Sequence, residues 1–412
     1  MDYYKNFNLL RERVNYEDAH IEAGDDLIIR NFSFTSENGF ILPGENSYLC
    51  HQHQCHSDDS NSYVSCNGTS GSILDIHDAD IAENKRFRYH VMAPAGTTVV
   101  KDFILLIHGF NEKTWNKYLP WAKTLVEQTG KCVVLFPIAF HMNRAPLVWS
   151  DRREMHGLSE SRKAGYPDIV ACTFSNVAIS ARLQQKPQRF FWSGLQTYYD
   201  VIQLLSEIKN GSHPFIARDA RFDLFAYSIG GLLAQILIIT DHQGYFSGSK
   251  LCLFCGGNVF NRFSPVSKFI LDSEANVALY SYIIEHLENH LKKDERLRHY
   301  LSELHPEGMN FKAMLNYNQH RGERESSFRK ISDRTLAIAL EKDLVAPPYE
   351  VINTLMGIKR DIPIEVVVED FDYPYIHENP FPIREEMAIP VNAAFDRIFS
   401  RVSRFFNECA LP

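Results

Sequence analysis

The sequence predicts an α/β protein with a doubly wound, mostly parallel sheet and an inserted helical cap. From residue 103 onward, short apolar runs alternate with stretches of helical periodicity. The apolar runs are continuous rather than alternating, which is typical of strands covered on both faces. Two interruptions, residues 141–193 and 258–334, are too long to be simple connections within a compact domain.

Six apolar runs are predicted to form the buried strands: Phe103–Ile107, Cys132–Phe136, Phe222–Ala226, Leu251–Phe254, Leu336–Leu340 and Ile364–Val368. Three helices are expected between or after them, over residues 115–127, 229–240 and 391–406. A fourth is indicated by apolar residues spaced as on one helix face, at Leu195, Tyr198, Tyr199, Ile202 and Leu205.

The chain is expected to divide at residue 100. Residues 1–100 hold two strand-like runs, Leu27–Phe34 and Arg86–Met92, and are predicted to form an N-terminal extension with additional strands. Residues 101–409 form the main domain, with both inserts as a cap over the carboxyl ends of its strands, where such sheets bind ligands. The second insert is expected to contain one helix with a single apolar face, made of Val277, Tyr280, Ile284, Leu287 and Leu291.

Composition excludes several classes of protein. Hydrophobic residues make up 45% and charged residues 23%, as in globular proteins, and the net charge of −8 argues against a nucleic-acid partner. The most apolar run, Ile229–Ile239, is too short to cross a membrane, and the N-terminus lacks the apolar segment of a signal peptide. Eight cysteines are too few for a disulfide scaffold. We therefore expect a cytoplasmic protein without nucleic-acid or membrane partners, whose oligomeric state the sequence leaves open.

The sharpest motif surrounds Ser228. An apolar strand, Phe222–Ala226, leads through Tyr227 into Ser228, and the apolar helix from Ile229 follows at once. Small residues on both sides, Ala226 and Gly230, suit the sharp turn of a nucleophile elbow. The alternative is a buried serine that caps a helix.

A second motif ends the first core strand. His108 and Gly109 follow Ile104–Ile107 directly, and this is where an oxyanion-hole loop begins in hydrolases with such an elbow. The expected donors are the backbone N–H groups of Phe110 and Ile229, with His108 in a structural role.

Together the two motifs resemble the α/β-hydrolase superfamily, in its serine-hydrolase branch, over about half the chain. The resemblance implies a triad in the order serine, acid, histidine. Asp343 follows the strand ending at Leu340, with Glu341 as the nearby substitute, and His377 is the only histidine after His320.

The resemblance implies a serine hydrolase that acts on a carboxylic ester, thioester or amide through an acyl-enzyme, without a cofactor. The alternatives are a non-catalytic binding protein on this scaffold and an acyltransferase. Trp149 and Tyr227 are expected to line a pocket for a small-molecule substrate. Further aromatic residues either enclose this pocket or attach the inserts to the core, namely Phe174, Phe190, Phe191, Trp192, Phe260, Phe263 and Phe269.

Two weaker patterns remain. The first insert carries eight basic and four acidic residues, which either favour an anionic substrate or are paired within the cap. Residues 50–78 are rich in zinc-type ligands whose spacing matches no common zinc motif, so no metal is predicted and a polar hairpin is the preferred interpretation. These ligand types are Cys50, His51, His53, Cys55, His56, Cys66 and His77.

Overall fold

A nine-stranded sheet runs through the molecule. The structure is a computed structural model that describes residues 2–24, 26–43, 47–50, 52–58, 74 and 76–408. The sheet strands are β1 His20–Gly24, β2 Leu27–Thr35, β5 Arg86–Pro94, β6 Val100–Ile107, β7 Cys132–Leu135, β8 Ile216–Tyr227, β9 Leu251–Phe254, β10 Thr335–Leu340 and β11 Glu365–Glu369. Across the sheet they lie in the order β1-β2-β5-β7-β6-β8-β9-β10-β11. A separate hairpin pairs β3 Ser47–Cys50 with β4 Cys55–Asp58.

The six strands β7, β6, β8, β9, β10 and β11 are mutually parallel. On the other side of β7, each pair of neighbouring strands is antiparallel, namely β7 with β5, β5 with β2 and β2 with β1. All six predicted core strands are present. The two strand-like runs of the first hundred residues are β2 and β5, and they belong to this same sheet.

Helices surround the sheet. They are α1 Tyr3–Arg13, α2 Ala82–Lys85, α3 Leu119–Thr129, α4 Arg152–Gly165, α5 Val177–Gln185, α6 Arg189–Lys209, α7 Gly230–Thr240, α8 Ser273–Tyr280, α9 Leu287–Lys293, α10 Glu295–Tyr300, α11 Pro306–Ala313, α12 Arg321–Lys330, α13 Pro348–Leu355 and α14 Ala388–Asn407. Among the helices of the described residues, none has both the length and the apolar character needed to cross a membrane.

Alternate side chains of the core strands enter two hydrophobic cores. Along β6, Phe103 and Leu105 pack in the core that contains α6 and α7. Ile104 and Leu106 pack in the core on the other face, with α1, α3 and α14. Because both faces are covered, the central strands are apolar throughout. The mostly parallel sheet, with its strand order and its helices on both faces, is a fold of the α/β-hydrolase type.

The inserts differ from the expectation in two places. Helix α6 already begins at Arg189, so the last residues of the first insert belong to a core helix. In the second insert the expected single apolar face is wrong, because a five-residue π-helical turn over Ser281–Glu285 separates α8 from α9 and rotates their registers. Val277 is consequently 63% exposed, whereas Leu287 and Leu291 are buried.

Candidate active site

Four predicted site residues lie in loops at one edge of the sheet. Phe110 follows β6, Ser228 follows β8, Asp343 follows β10 and His377 follows β11. These strands are parallel neighbours or near neighbours, so their carboxyl ends meet on the same side. This edge is the usual ligand-binding position of an open α/β sheet.

Ser228 occupies a sharp turn between β8 and α7. Its φ of 57° lies in the left-handed region, which is strained for a residue with a side chain and is uncommon for residues other than glycine. Gly230 makes the turn sterically feasible. A Cβ at this position would lie 2.5 Å from the carbonyl oxygen of His108, so only glycine fits.

A chain of two hydrogen bonds links the three residues predicted as a triad. Ser228 Oγ lies 2.7 Å from His377 Nε2, and His377 Nδ1 lies 2.7 Å from Asp343 Oδ2. All three residues are at most 5% exposed. Backbone N–H groups of Val345 and Ala346 donate to the second carboxylate oxygen of Asp343, at 2.9 and 2.8 Å. These bonds fix the carboxylate facing the histidine.

The Tyr227 side chain packs against His377 and does not line the cavity at Ser228. Its ring stacks on His377 with centroids 5.7 Å apart, and its hydroxyl donates to the backbone carbonyl of His377. The side chain of the residue before Ser228 points to the opposite sheet face, since side chains alternate along a strand. Tyr227 therefore packs beside Trp121, and the expectation that it lines the pocket is corrected.

The backbone N–H groups of Phe110 and Ile229 have no hydrogen-bond acceptor among the described residues. His108 anchors the Phe110 loop, because its Nε2 accepts from the N–H of Ile138 at 2.9 Å and its Nδ1 donates to the carbonyl of Gly109 at 2.7 Å. Burial holds the pKa of His108 well below its usual range, which keeps the ring neutral. Its contacts are structural, as expected.

Tyr118 is a supporting residue that sequence reasoning missed. Its hydroxyl accepts from the N–H of Gly109 at 2.9 Å and donates to Glu112 at 2.8 Å. The same loop is tied to both inserts by Asn111, whose amide donates to the carbonyls of Ser175 and Phe269. Tyr118 lies in the turn just before α3 with no motif around it, so only its contact identifies it.

An apolar cavity of about 390 Å³, its open mouth included, contains Ser228. A second apolar cavity of about 670 Å³ shares three of its lining residues and so adjoins it. The shared residues are Phe110, Phe190 and Ile229. The second insert contributes Phe260, Phe263, Ile270, Leu271 and Leu279 to the walls of the cavity at Ser228, and Phe190 comes from the core helix α6.

Only some of the aromatic residues of the inserts face these cavities. Phe191 lines the second cavity, whereas Trp192 is 1% exposed and packs against Tyr300, joining insert and core. Trp149 does not reach Ser228 either. It packs in a separate small core, stacks under the Arg182 guanidinium at 3.9 Å and lines a different cavity of about 440 Å³, so the prediction that it lines the pocket at Ser228 is corrected.

Four arginines of the first insert are paired with carboxylates, and three of them, Arg144, Arg182 and Arg189, are buried, but only Arg162 is paired within the cap. Arg162 also joins the two inserts, because its guanidinium donates twice to Asp272 of the second insert, at 2.7 and 2.9 Å. The four pairs are Arg144–Asp200, Arg162–Asp272, Arg182–Asp78 and Arg189–Asp78.

The Cys/His-rich segment is described only in part. His51 and Cys66 lie outside the described residues. Cys50 and His53 lie beside His299 and His305 of the second insert, a grouping that spacing within residues 50–78 does not reveal.

Several solved structures resemble this chain at 12% identity. A carboxyl esterase from the mycorrhizal fungus Tuber melanosporum matches with a TM-score of 0.43, over 78% of this chain and 82% of that one. A thermostable esterase from Pseudomonas putida matches at 0.38, over 78% and 79%. An acylaminoacyl peptidase from Pyrococcus horikoshii matches at 0.40, over 78% of this chain but 39% of that one.

At these scores the fold assignment rests on the sheet order and the turn at Ser228 rather than on the neighbours. No curated protein matches the sequence. A family model matches residues 1–407, almost the entire chain, and the chain therefore belongs to the family of unknown function DUF6051.

Proposed function

We propose that the protein is a serine hydrolase that cleaves a carboxylic ester, or a related thioester or amide, of a small to medium acyl compound. The observation that carries the proposal is the hydrogen-bonded chain from Ser228 through His377 to Asp343. A serine hydroxyl is a weak nucleophile, and an adjacent base that accepts its proton activates it. The N–H groups of Phe110 and Ile229, which have no acceptor in the described parts of the chain, supply the second requirement, stabilisation of an oxyanion.

In the proposed mechanism, Ser228 Oγ attacks the acyl carbon while its proton passes to His377 Nε2. Asp343 holds the proton on Nδ1 and stabilises the imidazolium that forms. The N–H groups of Phe110 and Ile229 donate to the oxyanion of the tetrahedral intermediate. His377 then protonates the leaving group, and water activated by the same ring hydrolyses the acyl-enzyme.

The lining of the cavities supports an apolar acyl group as substrate. Phe190, Phe260 and Phe263 surround the cavity at Ser228, and the adjoining cavity is also lined mainly by aromatic and aliphatic side chains. Sites of this kind bury most of the surface of a small ligand. We further propose that both inserts act as a cap, because the second provides most of the walls at Ser228 and is joined to the first through Arg162 and Asp272.

A fluorophosphonate probe tests for an activated serine. We expect the wild-type chain and the control Ser326→Ala, whose serine lies exposed on α12, to be labelled, and Ser228→Ala not to be. Equal labelling of Ser228→Ala and the wild type would contradict the assignment. A wild type that binds acyl compounds but never reacts would instead identify a binding protein.

p-Nitrophenyl esters of graded chain length test the substrate class. We expect turnover that depends on chain length and that falls by at least about 10³-fold in Ser228→Ala. Adding an alcohol or amine acceptor separates hydrolysis from acyl transfer, since a transferase would form the transferred product in preference to the free acid. Absence of any ester turnover in a chain that reacts with the probe would contradict the ester substrate.

A further inference from the structure

Four side chains from two distant parts of the chain converge at one point. Cys50 ends β3 and His53 lies in the turn before β4, whereas His299 lies in α10 and His305 directly precedes α11. One ligand-type atom from each residue lies within 4.8 Å of all the others. Within the described ranges, no other such group of three or more Cys, His, Asp or Glu side chains occurs.

The separations within this Cys50–His53–His299–His305 cluster fit a tetrahedral ion. Cys50 Sγ lies 3.6 Å from both His53 Nδ1 and His305 Nε2, and the Nε2 atoms of His305 and His299 lie 3.1 Å apart. Zinc bonds of about 2.3 Å to sulfur and about 2.0–2.1 Å to nitrogen, at tetrahedral angles, separate sulfur from nitrogen by about 3.6 Å. Two nitrogens are then about 3.4 Å apart. The cluster thus has nearly the size that an ion at its centre requires.

A buried carboxylate orients one of the histidines. His305 Nδ1 lies 2.7 Å from Glu307 Oε1, and the hydroxyl of Tyr199 donates to the same oxygen at 2.5 Å. A carboxylate at Nδ1 keeps the proton there and leaves the Nε2 lone pair for a ligand bond, which is the usual support of a metal-bound histidine. The charges also balance, since a Cys50 thiolate and the Glu307 carboxylate together offset a divalent cation.

A hydrogen-bonded cluster without an ion explains the arrangement less well. With its proton on Nδ1, His305 has a single lone pair on Nε2. Both Cys50 and His299 lie against that one nitrogen, at 3.6 and 3.1 Å, and only one of them can donate to it. An ion that accepts a lone pair from every member satisfies all four at once.

We infer that Cys50, His53, His299 and His305 bind a zinc ion. A thiolate with three imidazoles is a ligand set suited to zinc. Four protein ligands fill a tetrahedral shell and leave no position for a reacting molecule, so the ion is structural. It fastens the β3–β4 hairpin to the second insert, which also forms a wall of the cavity at Ser228. The sequence prediction of no metal is thereby revised.

Metal analysis of the full-length protein tests the inference. After one equivalent of zinc is added and excess metal is removed by gel filtration, we expect about one zinc per chain by plasma mass spectrometry. Cys50→Ser and His305→Asn should each retain less than about a tenth of this amount. The matched control is His286→Asn, an exposed histidine of the same insert, which should retain all of it. A wild type without zinc, or ligand variants that keep a full equivalent, would overturn the inference.

Two measurements on the wild type do not depend on whether variants fold. Cobalt substituted for zinc should give the intense visible bands of tetrahedral coordination and a thiolate-to-cobalt charge-transfer band, whereas a weak octahedral spectrum would refute the site. Removal of zinc by a chelator should lower the midpoint of thermal unfolding by several degrees, and zinc should restore it. An unchanged midpoint would refute the structural role. None of these readouts uses ester cleavage, so they are independent of the proposed function.

Discussion

Gly256, in the loop after β9, permits a close approach of that loop to the backbone of Ser228. A Cβ at Gly256 would lie 2.5 Å from the carbonyl oxygen of Ser228 and 3.2 Å from its carbonyl carbon. Non-bonded heavy atoms pack about 3.5 Å or more apart. At 2.5 Å, the methyl carbon of Gly256→Ala therefore lies about 1 Å too close to the carbonyl oxygen of Ser228. The Ser228 oxygen belongs to the backbone and the position of an alanine Cβ is fixed by its own backbone, so no side-chain rotation relieves the overlap.

The substitution should therefore displace Ser228 relative to His377, whose Nε2 lies only 2.7 Å from Ser228 Oγ. A misplacement of about 1 Å costs on the order of 10²-fold in rate. Overpacking of a buried site destabilises by about 1–3 kcal/mol. We expect Gly256→Ala to lower kcat about 100-fold, with a loss of stability that leaves the chain folded.

Steady-state hydrolysis of a p-nitrophenyl ester and urea unfolding measure the two effects. The matched control is Gly248→Ala, because a Cβ at Gly248 meets no atom within 4 Å and should change neither quantity. If Gly256→Ala keeps kcat within twofold of the wild type and unfolds at the same urea concentration, the close approach does not constrain Ser228. The steric reasoning would then be refuted.

Two further predictions concern stability. Asp200→Ala should lower the free energy of unfolding by about 3–5 kcal/mol, because it leaves the fully buried Arg144 charge without its ion-pair partner. Loss of the exposed Arg221–Asp102 pair through Asp102→Ala should cost at most about 1 kcal/mol, and equal effects in urea unfolding would contradict this. Burial also lowers histidine pKa values, to about 3 for His90 and about 4 for His141. Because the unfolded chain binds these protons below about pH 6.5 and the native chain does not, stability should fall from pH 7 to pH 5, by on the order of 1–2 kcal/mol per histidine. An unchanged free energy of unfolding over this interval would refute it.

Local patterns in the sequence were sufficient to predict the core of the fold and the turn at Ser228, whereas Asp343 and His377 were predicted from the triad order that the resemblance to α/β-hydrolases implies. Each core strand is a continuous apolar run because both of its faces are buried, and this property is visible without coordinates. The turn at Ser228 is equally local, since the strand, the small flanking residues and the helix are consecutive. His377 could be located because no other histidine follows His320.

Packing between distant segments could not be predicted in the same way. Strand alternation alone places Tyr227 on the sheet face opposite Ser228, whereas only tertiary packing places Trp149 in a separate core under Arg182. In the second insert, a single π-helical turn rotates Val277 into solvent, although its spacing matches an apolar helix face. Such one-residue changes of register leave no distinct signature in composition.

The sequence by itself determined the strand order along the chain and the turn at Ser228, because these depend on neighbours within a few positions. Only the tertiary structure brought Gly256 against Ser228, Tyr118 against Gly109, and His299 and His305 against Cys50. These contacts join residues that are distant in sequence or carry no motif. They arise from the packing of neighbouring strands and inserts, whose pairing depends on the summed burial of the whole chain rather than on any short segment.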